Sequence, residues 1–496
     1  MKILIGTDLL FSYLNRTDYM EGIMILFRWL ERLKYKRCID LGSIVVLTHF
    51  ISLNDFRHLR GFELLKKVTP KNLIIRIIEK QINSTVLKES KNIQTHLMQL
   101  NYLLDGDVDF IITEDKNIHD IARQLIIDDR VYAIEDFLEK CVAEHRELDD
   151  TKGVALQTVK FGSLSLNDPF FNTFIKEYAP YYYEWFRKKA LDDVYVARDT
   201  EGNIRALLKL KLEDANEDYS DISPKFKPAK RLKICSLKAD YTSNKLGQRM
   251  IKIIFEVALK TNVDEIYITI FNTSPQRKRL IGMIQGWGFQ NVAIKGENEL
   301  VFVRSMKKQL TDNPCTHYPY QDGNAQSFII SLRKEYASIL LPSVEFRNNM
   351  DDIEPYKSAI RKVLVIGEVQ ENLTSGDSLL FYQKSEKIKE CGIIAAGVVE
   401  KVYQGFTNEK DFHTRCRKRS FLSDDMLKKY WHMYDKRPIV IEFLFTYSFK
   451  DDFITQFKLN NLGIVGFSKK QVFQISPNIF KELIKGSNYE KNIVTN

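Results

Sequence analysis

The chain has 496 residues, of which 44% are apolar, 28% charged and 12% aromatic, with a formal net charge of +9. That length suggests about three domains. The composition excludes a disordered or low-complexity chain, and no apolar run approaches the ~20 residues of a membrane-spanning helix. Basic residues number 21 against 24 acidic in residues 1–150, 27 against 18 in 151–310 and 26 against 23 in 311–496. A polyanionic partner is therefore expected for the middle and last thirds. Cys38, Cys141, Cys235, Cys315, Cys391 and Cys416 are scattered, with no CxxC and no metal-ligand spacing to histidines. The start, Met1-Lys2-Ile3-Leu4-Ile5, is broken by Asp8 and is no signal peptide. Together these predict a cytoplasmic protein with reduced thiols and no membrane contact.

In residues 1–145, Lys2–Gly6 predicts a buried strand, followed by a helix carrying Leu10, Leu14, Ile23, Phe27 and Leu30. Ile44–Leu47 reads as a second short strand. Leu73–Leu87 and Asn92–Leu104 have helical spacing. Val108–Ile112 is a strand, Asn117–Leu125 a helix, Arg130–Ala133 a last strand and Glu135–Val142 a last helix. This alternation implies a parallel sheet covered on both faces, closed by the charged stretch Glu144–Lys152. Asp8 and Asp115 follow two of these strands, where a sheet edge delivers carboxylates to a divalent metal. Strand-end aspartates also cap helices and start turns.

The runs Ile3-Leu4-Ile5-Gly6-Thr7-Asp8 and Asp109-Phe110-Ile111-Ile112-Thr113-Glu114-Asp115 resemble PIN-like nuclease domains. The resemblance implies Mg²⁺ or Mn²⁺ held by Asp8 and Asp115, with Asp55 as a further acid. The helix that usually supplies another acid reads Asn92-Ile93-Gln94-Thr95-His96-Leu97, without a carboxylate.

Residues 154–306 read as a second mixed unit. Val194–Arg198 and Ile204–Leu212 flank a turn and predict a hairpin. Strand Leu232–Leu237, helix Leu246–Lys260, strand Glu265–Phe271, helix Arg279–Gln285 and strand Leu300–Arg304 follow. A strand, a tight loop and a helix N-terminus together suit a pyrophosphate. That order, with Gly286-Trp287-Gly288-Phe289 before the last strand, resembles the GNAT acetyltransferase superfamily.

The resemblance implies acetyl-CoA between splayed strands, with Leu237 beside the pantetheine arm. Thr242, Ser243, Asn244, Lys245, Leu246, Gly247 and Gln248 would hold the cofactor's pyrophosphate, and Asn272 would sit by the second splayed strand. A backbone N–H of the Leu232–Leu237 strand would stabilise the oxyanion. Asp240 and Tyr241 are the catalytic candidates, and Ile284 stands where the family often has a tyrosine. Arg277, Lys278 and Arg279 follow the second strand, and three cations there favour an acceptor bearing phosphates, such as RNA.

After a polar linker near Thr311–Asp322, residues 323–490 are strand-rich: Val363–Glu368, Ser378–Gln383, Ile393–Tyr403 and Ile439–Ser448 read as barrel strands. Gly376-Asp377 before an apolar strand, then Ile393-Ile394-Ala395-Ala396-Gly397, resembles PUA-like barrels of the ASCH and EVE groups, many of which bind RNA. Arg415, Arg417 and Arg419 would contact phosphates, while Tyr382, Phe421, Tyr430 and Trp431 would stack bases.

The expected architecture is thus multidomain: a PIN-like parallel α/β sheet, a GNAT-like mixed sheet and a PUA-like β-barrel. The expected activity is acetyl-CoA-dependent N-acetylation of an RNA-linked or RNA-associated acceptor. Two alternatives stay open: a metal-dependent ribonuclease that senses acetyl-CoA, and a non-enzymatic RNA-binding adaptor with a protein partner.

Overall fold

A computed structural model describes residues 1–16, 19–52, 55–66, 93–125, 127–145, 156–199, 201–239, 246–341, 359–367, 369, 371–417, 422, 424–466 and 470–495. The chain divides into two compact units, Met1–Asp149 and Asp150–Asn496.

Unit 1 runs β1 (Lys2–Ile5), α1 (Thr7–Asn15), α2 (Met20–Arg32), β2 (Lys36–Asp40), α3 (Leu41–Leu47), β3 (Glu63–Leu65), α4 (Ile93–Leu104), β4 (Phe110–Ile112), α5 (Lys116–Leu125), β5 (Val131–Tyr132) and α6 (Ile134–Glu144). Its strands form a parallel sheet in the order β3-β2-β1-β4-β5. Central β1 buries Ile3, Leu4 and Ile5 completely, as a strand covered on both faces must. The expected strand at Ile44–Leu47 is instead the end of helix α3. Asp40 caps that helix by accepting from the Ser43 N–H at 2.9 Å, and the cap overrides the strand preference of Ile44, Val45 and Val46. The predicted helix Leu73–Leu87 lies outside the described residues.

Unit 2 opens with β6 (Leu156–Lys160), α7 (Asn172–Tyr178), α8 (Tyr182–Lys188), β7 (Asp193–Arg198), β8 (Ile204–Glu213), β9 (Ile222–Ser223), β10 (Arg231–Ala239), α9 (Leu246–Thr261), β11 (Glu265–Phe271), α10 (Pro275–Gly286), β12 (Gln290–Lys295) and β13 (Glu299–Ser305). The strands make one sheet, β6-β7-β8-β10-β11-β13-β12-β9, in which only β10 and β11 are parallel. Helix α9 packs Leu246, Met250, Ile254 and Phe255 on Leu232, Ile234 and Leu237.

The unit continues with α11 (Pro314–His317), β14 (Gln321–Asp322), β15 (Ser327–Arg333), α12 (Lys334–Leu340), β16 (Arg361–Ile366), β17 (Ser378–Lys384), β18 (Gly392–Tyr403), α13 (Glu409–Arg417), α14 (Asp424–Met433), β19 (Ile439–Ser448), β20 (Ile454–Thr455), α15 (Gln456–Asn461), β21 (Val472–Ile475), α16 (Pro477–Ile484) and β22 (Ile493–Val494). The second sheet runs β16-β19-β18-β17-β15-β21, with β20 on β18. Among the described residues its two ends, β16 and β21, are not paired as strands, so a closed barrel is not shown. A bond from Gly367 N–H to Gln471 Oε1, 3.0 Å, joins the segments beside them.

The stretch expected as a polar linker is built into the core. Cys315 and Tyr318 are 1% and 5% exposed. The Tyr318 hydroxyl donates to Phe445 O at 3.1 Å, and Arg361 lies over Trp287, 5.0 Å from the ring centre. One apolar cluster runs from Ile234 and Trp287 to Ile360, Leu444 and Val494. The two large sheets of unit 2 therefore share a core.

Candidate functional site

β10 and β11 pair in parallel from Arg231↔Glu265 to Ile234↔Ile268 and then part. Beyond that point β10 stays on β8 and β11 stays on β13, each to its end. A register irregularity between Ile234 and Ser236 marks Cys235 as an extra residue, and such a bulge bends and twists its strand. The bend turns the end of β10, with Leu237, away from β11.

Helix α7 is tied to both sides of the gap. Lys238 of β10 donates to Phe170 O at 2.6 Å, just ahead of the helix, and to Thr173 Oγ1 at 3.1 Å. At the helix's other end, the Tyr178 ring meets Phe271 of β11 at 5.6 Å and its hydroxyl donates to Glu299 Oε1 of β13 at 3.2 Å. Thr269 Oγ1 donates to the same oxygen at 2.8 Å. Glu299 is 8% exposed and faces Phe271 across the ladder. Burial, followed by the Glu299 charge, pushes the Tyr178 phenol well above its ordinary pKa, so it stays a donor.

Glu299 was not among the sequence candidates. A signal for it exists: it shares the strand parity of Val301 and Val303, and Val301 is fully buried. An acid on a buried strand face needs partners.

Of the expected cofactor residues, Leu237 is buried on the α9 side of the parting strand and Leu246 is buried in the core. Gly247 sits where a Cβ would meet Met283 Sδ at 3.3 Å. Gln248 Oε1 is buried without a hydrogen-bond partner, and Asn272 is exposed just past β11. Thr242, Ser243, Asn244 and Lys245, with the catalytic candidates Asp240 and Tyr241, lie outside the described residues. Ile284 is fully buried core. A parted strand edge and an orphaned acceptor on the first turn of α9 fit a long, amide-bearing cofactor whose pyrophosphate meets that helix start.

The cationic triplet does not act as a unit. Arg277 forms an ion pair with Glu177, its Nε 3.3 Å from Glu177 Oε1, while Lys278 is exposed and Arg279 half-buried. The expected three-charge phosphate contact is thus corrected, because Arg277 is neutralised within the fold.

In unit 1, Asp8 accepts from Thr113 Oγ1 and from Glu114 N–H, both at 2.7 Å. A Cβ at Gly6 would fall 2.4 Å from Asp8 Oδ1, so glycine there permits the approach. Burial pushes the Asp8 carboxyl above its ordinary value despite those bonds. Burial also opposes the Asp115 charge, but His96, 3.2 Å away, and the N–H groups of Asn117 and Ile118 hold that carboxyl below its ordinary value.

Asp55 accepts from Ser52 Oγ at 2.7 Å in its own exposed turn. In place of a further acid, α4 brings Gln99, which is fully buried and whose amide nitrogen lies 3.1, 3.0 and 2.9 Å from Thr7 Oγ1, Asp40 Oδ2 and Ser43 Oγ. An amide and an imidazole thus meet the carboxylates. Among the described residues, no cluster of three or more His, Cys, Asp or Glu is set to hold a metal. Of the expected set, Asp8 and Asp115 stand beside the neighbouring strands β1 and β4, and Asp55 bonds within its own turn.

In the C-terminal part, two expected base-stacking residues are core. Tyr382 is 2% exposed and its hydroxyl bonds Gln456. Trp431 is 5% exposed and stacks on Phe412 at 5.7 Å. Their faces are covered because α13 and α14 pack on β16 and β19 and because α15 and α16 cover the Tyr382 side. Arg415 lies over Tyr403 at 4.5 Å. Arg419, Phe421 and the Arg417 side chain lie outside the described residues.

No family model matches the sequence, and no curated protein matches it. Its neighbours among solved structures are ASCH domains and GNAT acetyltransferases. ASCH from Zymomonas mobilis is matched over 33% of this chain and 95% of its own, at 15% identity and a TM-score of 0.24. A GNAT-family acetyltransferase from Listeria monocytogenes 4b F2365 is matched over 30% and 94%, at 13% identity and 0.23. Arabidopsis thaliana Naa50, solved with the bisubstrate analogue CoA-Ac-MVNAL, is matched over 31% and 99%, at 14% identity and 0.22. At these identities and scores the likenesses assign no function. Among the described residues no helix is long and apolar enough to cross a membrane.

Proposed function

We propose that residues 156–306 carry acetyl-CoA-dependent transfer to an amine, and that the C-terminal sheet recognises RNA. One observation carries the transferase reading: β10 and β11 part after Ile234 and Ile268, and a buried carboxylate, Glu299, stands behind the β11 side of the gap. Bound acetyl-CoA supplies an activated thioester. The open edge of β10 and Leu237 receive the pantetheine arm, and the first turn of α9, with Gly247 and Gln248, faces the pyrophosphate. Glu299, held by Thr269 and Tyr178, orients the amine and takes its proton, a role worth roughly 10²- to 10⁴-fold in rate. Arg277 is spent on Glu177, so the gap selects an amine and leaves phosphate recognition to another part of the chain. Unit 1 serves as a PIN-like scaffold, a reading supported by its parallel sheet and by Asp8 and Asp115 beside the neighbouring strands β1 and β4.

Acetyl-CoA should stabilise the full chain by mass action, by about 2.7 kcal/mol at a hundredfold excess over Kd, and so raise its melting temperature. Gly247→Glu, which puts a carboxylate where the phosphates belong, should remove the shift. No shift in the wild type with acetyl-CoA or CoA at large excess would sink the transferase reading.

A further inference from the structure

At the end of the parallel pair β15–β17, Arg333 stands in register with Lys384, and Ser331 with Tyr382. Residues two apart on a strand share a face, so these four belong to one face at one end of the sheet. Like charges directly opposite each other on neighbouring strands are destabilising. Among the described residues, neither Arg333 nor Lys384 has a carboxylate partner. Glu390 is engaged by Lys334 at 2.7 Å and Ser385 at 2.8 Å. Burial, followed by the Arg333 charge, lowers the Lys384 pKa, so the cation pair is set against itself.

Two further features surround the pair. Ser331 is 8% exposed, and its Oγ is buried without a hydrogen-bond partner. A buried hydroxyl in that state calls for a ligand or a water. Tyr430 and Tyr434 are half-buried and stack at 5.8 Å and 6°, and the Arg333 charge reaches both phenols. Gln471 joins the parts, its main-chain oxygen accepting from Ser331 N–H at 2.9 Å and its amide donating to the Tyr434 hydroxyl at 3.1 Å. Uncompensated cations, an aromatic stack and an unsatisfied hydroxyl are what a phosphorylated base requires of a protein surface.

We propose that this end of the C-terminal sheet binds a nucleotide phosphate, with Arg333 and Lys384 on the anion and the Tyr430–Tyr434 stack beside the base. The inference deepens the RNA part of the proposed function and is independent of acetyl transfer. It replaces Arg415, Arg417 and Arg419 as the principal phosphate contact.

The test uses the full chain, a fluorescein-labelled twelve-nucleotide oligouridylate titrated at several salt concentrations, and uridine monophosphate as competitor. R333Q/K384Q should bind the oligonucleotide at least tenfold more weakly. Its salt dependence should be shallower by about 1.4, from two contacts at about 0.7 each on single strands. Lys384→Arg should retain wild-type affinity, and Arg415→Glu should leave both readings nearly unchanged. Displacement by uridine monophosphate with the same variant profile would place the site on free nucleotides; no displacement would place it on the strand. Wild-type binding that R333Q/K384Q leaves intact overturns this site while RNA recognition stands. No binding of either probe by the wild type overturns both. Unaltered melting of the variants secures the comparison, since Arg333 is exposed and neither residue belongs to an apolar cluster.

Discussion

The Tyr178 hydroxyl donates to Glu299 Oε1 across 3.2 Å, joining helix α7 to strand β13 over 121 residues of sequence. That bond and the one from Thr269 leave Glu299 oriented at the parted strands. Glu299→Gln keeps an oxygen for both donors but loses the base. The expected outcome is a fall of about a hundredfold in kcat, with the acetyl-CoA-induced melting shift unchanged. Steady-state kinetics beside melting curves check this; an unchanged kcat would remove Glu299 from the chemistry.

Arg361 binds Glu400 at 3.1 Å and contacts the Cys315 thiol at 3.0 Å, beneath Trp287. These residues sit where the two large sheets of unit 2 share their core. Removing one partner of this half-buried pair takes away a charge-assisted hydrogen bond, so Arg361→Ala should cost about 2 kcal/mol. Urea unfolding should show a lower midpoint for the whole of unit 2. Loss confined to the C-terminal sheet would mean the two sheets unfold separately.

Trp431→Ala opens a cavity between α14, Phe412 and β16. The expected loss is about 3–5 kcal/mol. Affinity of the folded fraction for RNA should not change, because the indole is covered. A variant that melts normally yet binds RNA poorly would return Trp431 to the surface role its sequence neighbourhood suggested.

Asp115 is held below its ordinary value of 3.8 chiefly by His96, against burial. Its contribution to stability is therefore present above about pH 4 and is lost as pH falls through the lower folded-state value. Asp8 is raised from 3.8, so its effect has the opposite sign: stability declines as pH climbs from about 4 through its folded-state value. Melting temperatures between pH 2.5 and 6 should show Asp115→Asn with a flatter acid limb than the wild type. They should show Asp8→Asn without the decline above pH 4. Identical profiles for all three proteins would remove both assignments.

Much of the fold was legible because it depends on local periodicity. The strands at Lys2–Gly6, Leu232–Leu237 and Glu265–Phe271 stand within two residues of their expected limits, since short apolar runs and apolar–polar alternations between polar turns have few other uses. Ile44–Leu47 failed because a single capping bond from Asp40 outweighed three β-branched side chains. The Thr311–Asp322 stretch looked like a linker because its apolar residues, Cys315 and Tyr318 among them, are few and show no period.

By itself, then, the sequence determined the alternation of strands and helices, the excess of positive charge after residue 150 and the presence of acids at strand ends. Which charges remain available was decided only by tertiary structure. Arg277 faces Glu177, 100 residues away, and Asp115 faces His96, 19 residues before it; among the described residues, Arg333 faces Lys384 and no carboxylate. Charge is a property of the residue, but its neutralisation is a property of its neighbours, and those are set by which strands and helices the fold brings side by side. Burial follows the same logic. Trp431 and Glu299 are both covered, and only the packing of α14 and α7 made one a core filler and the other a candidate base.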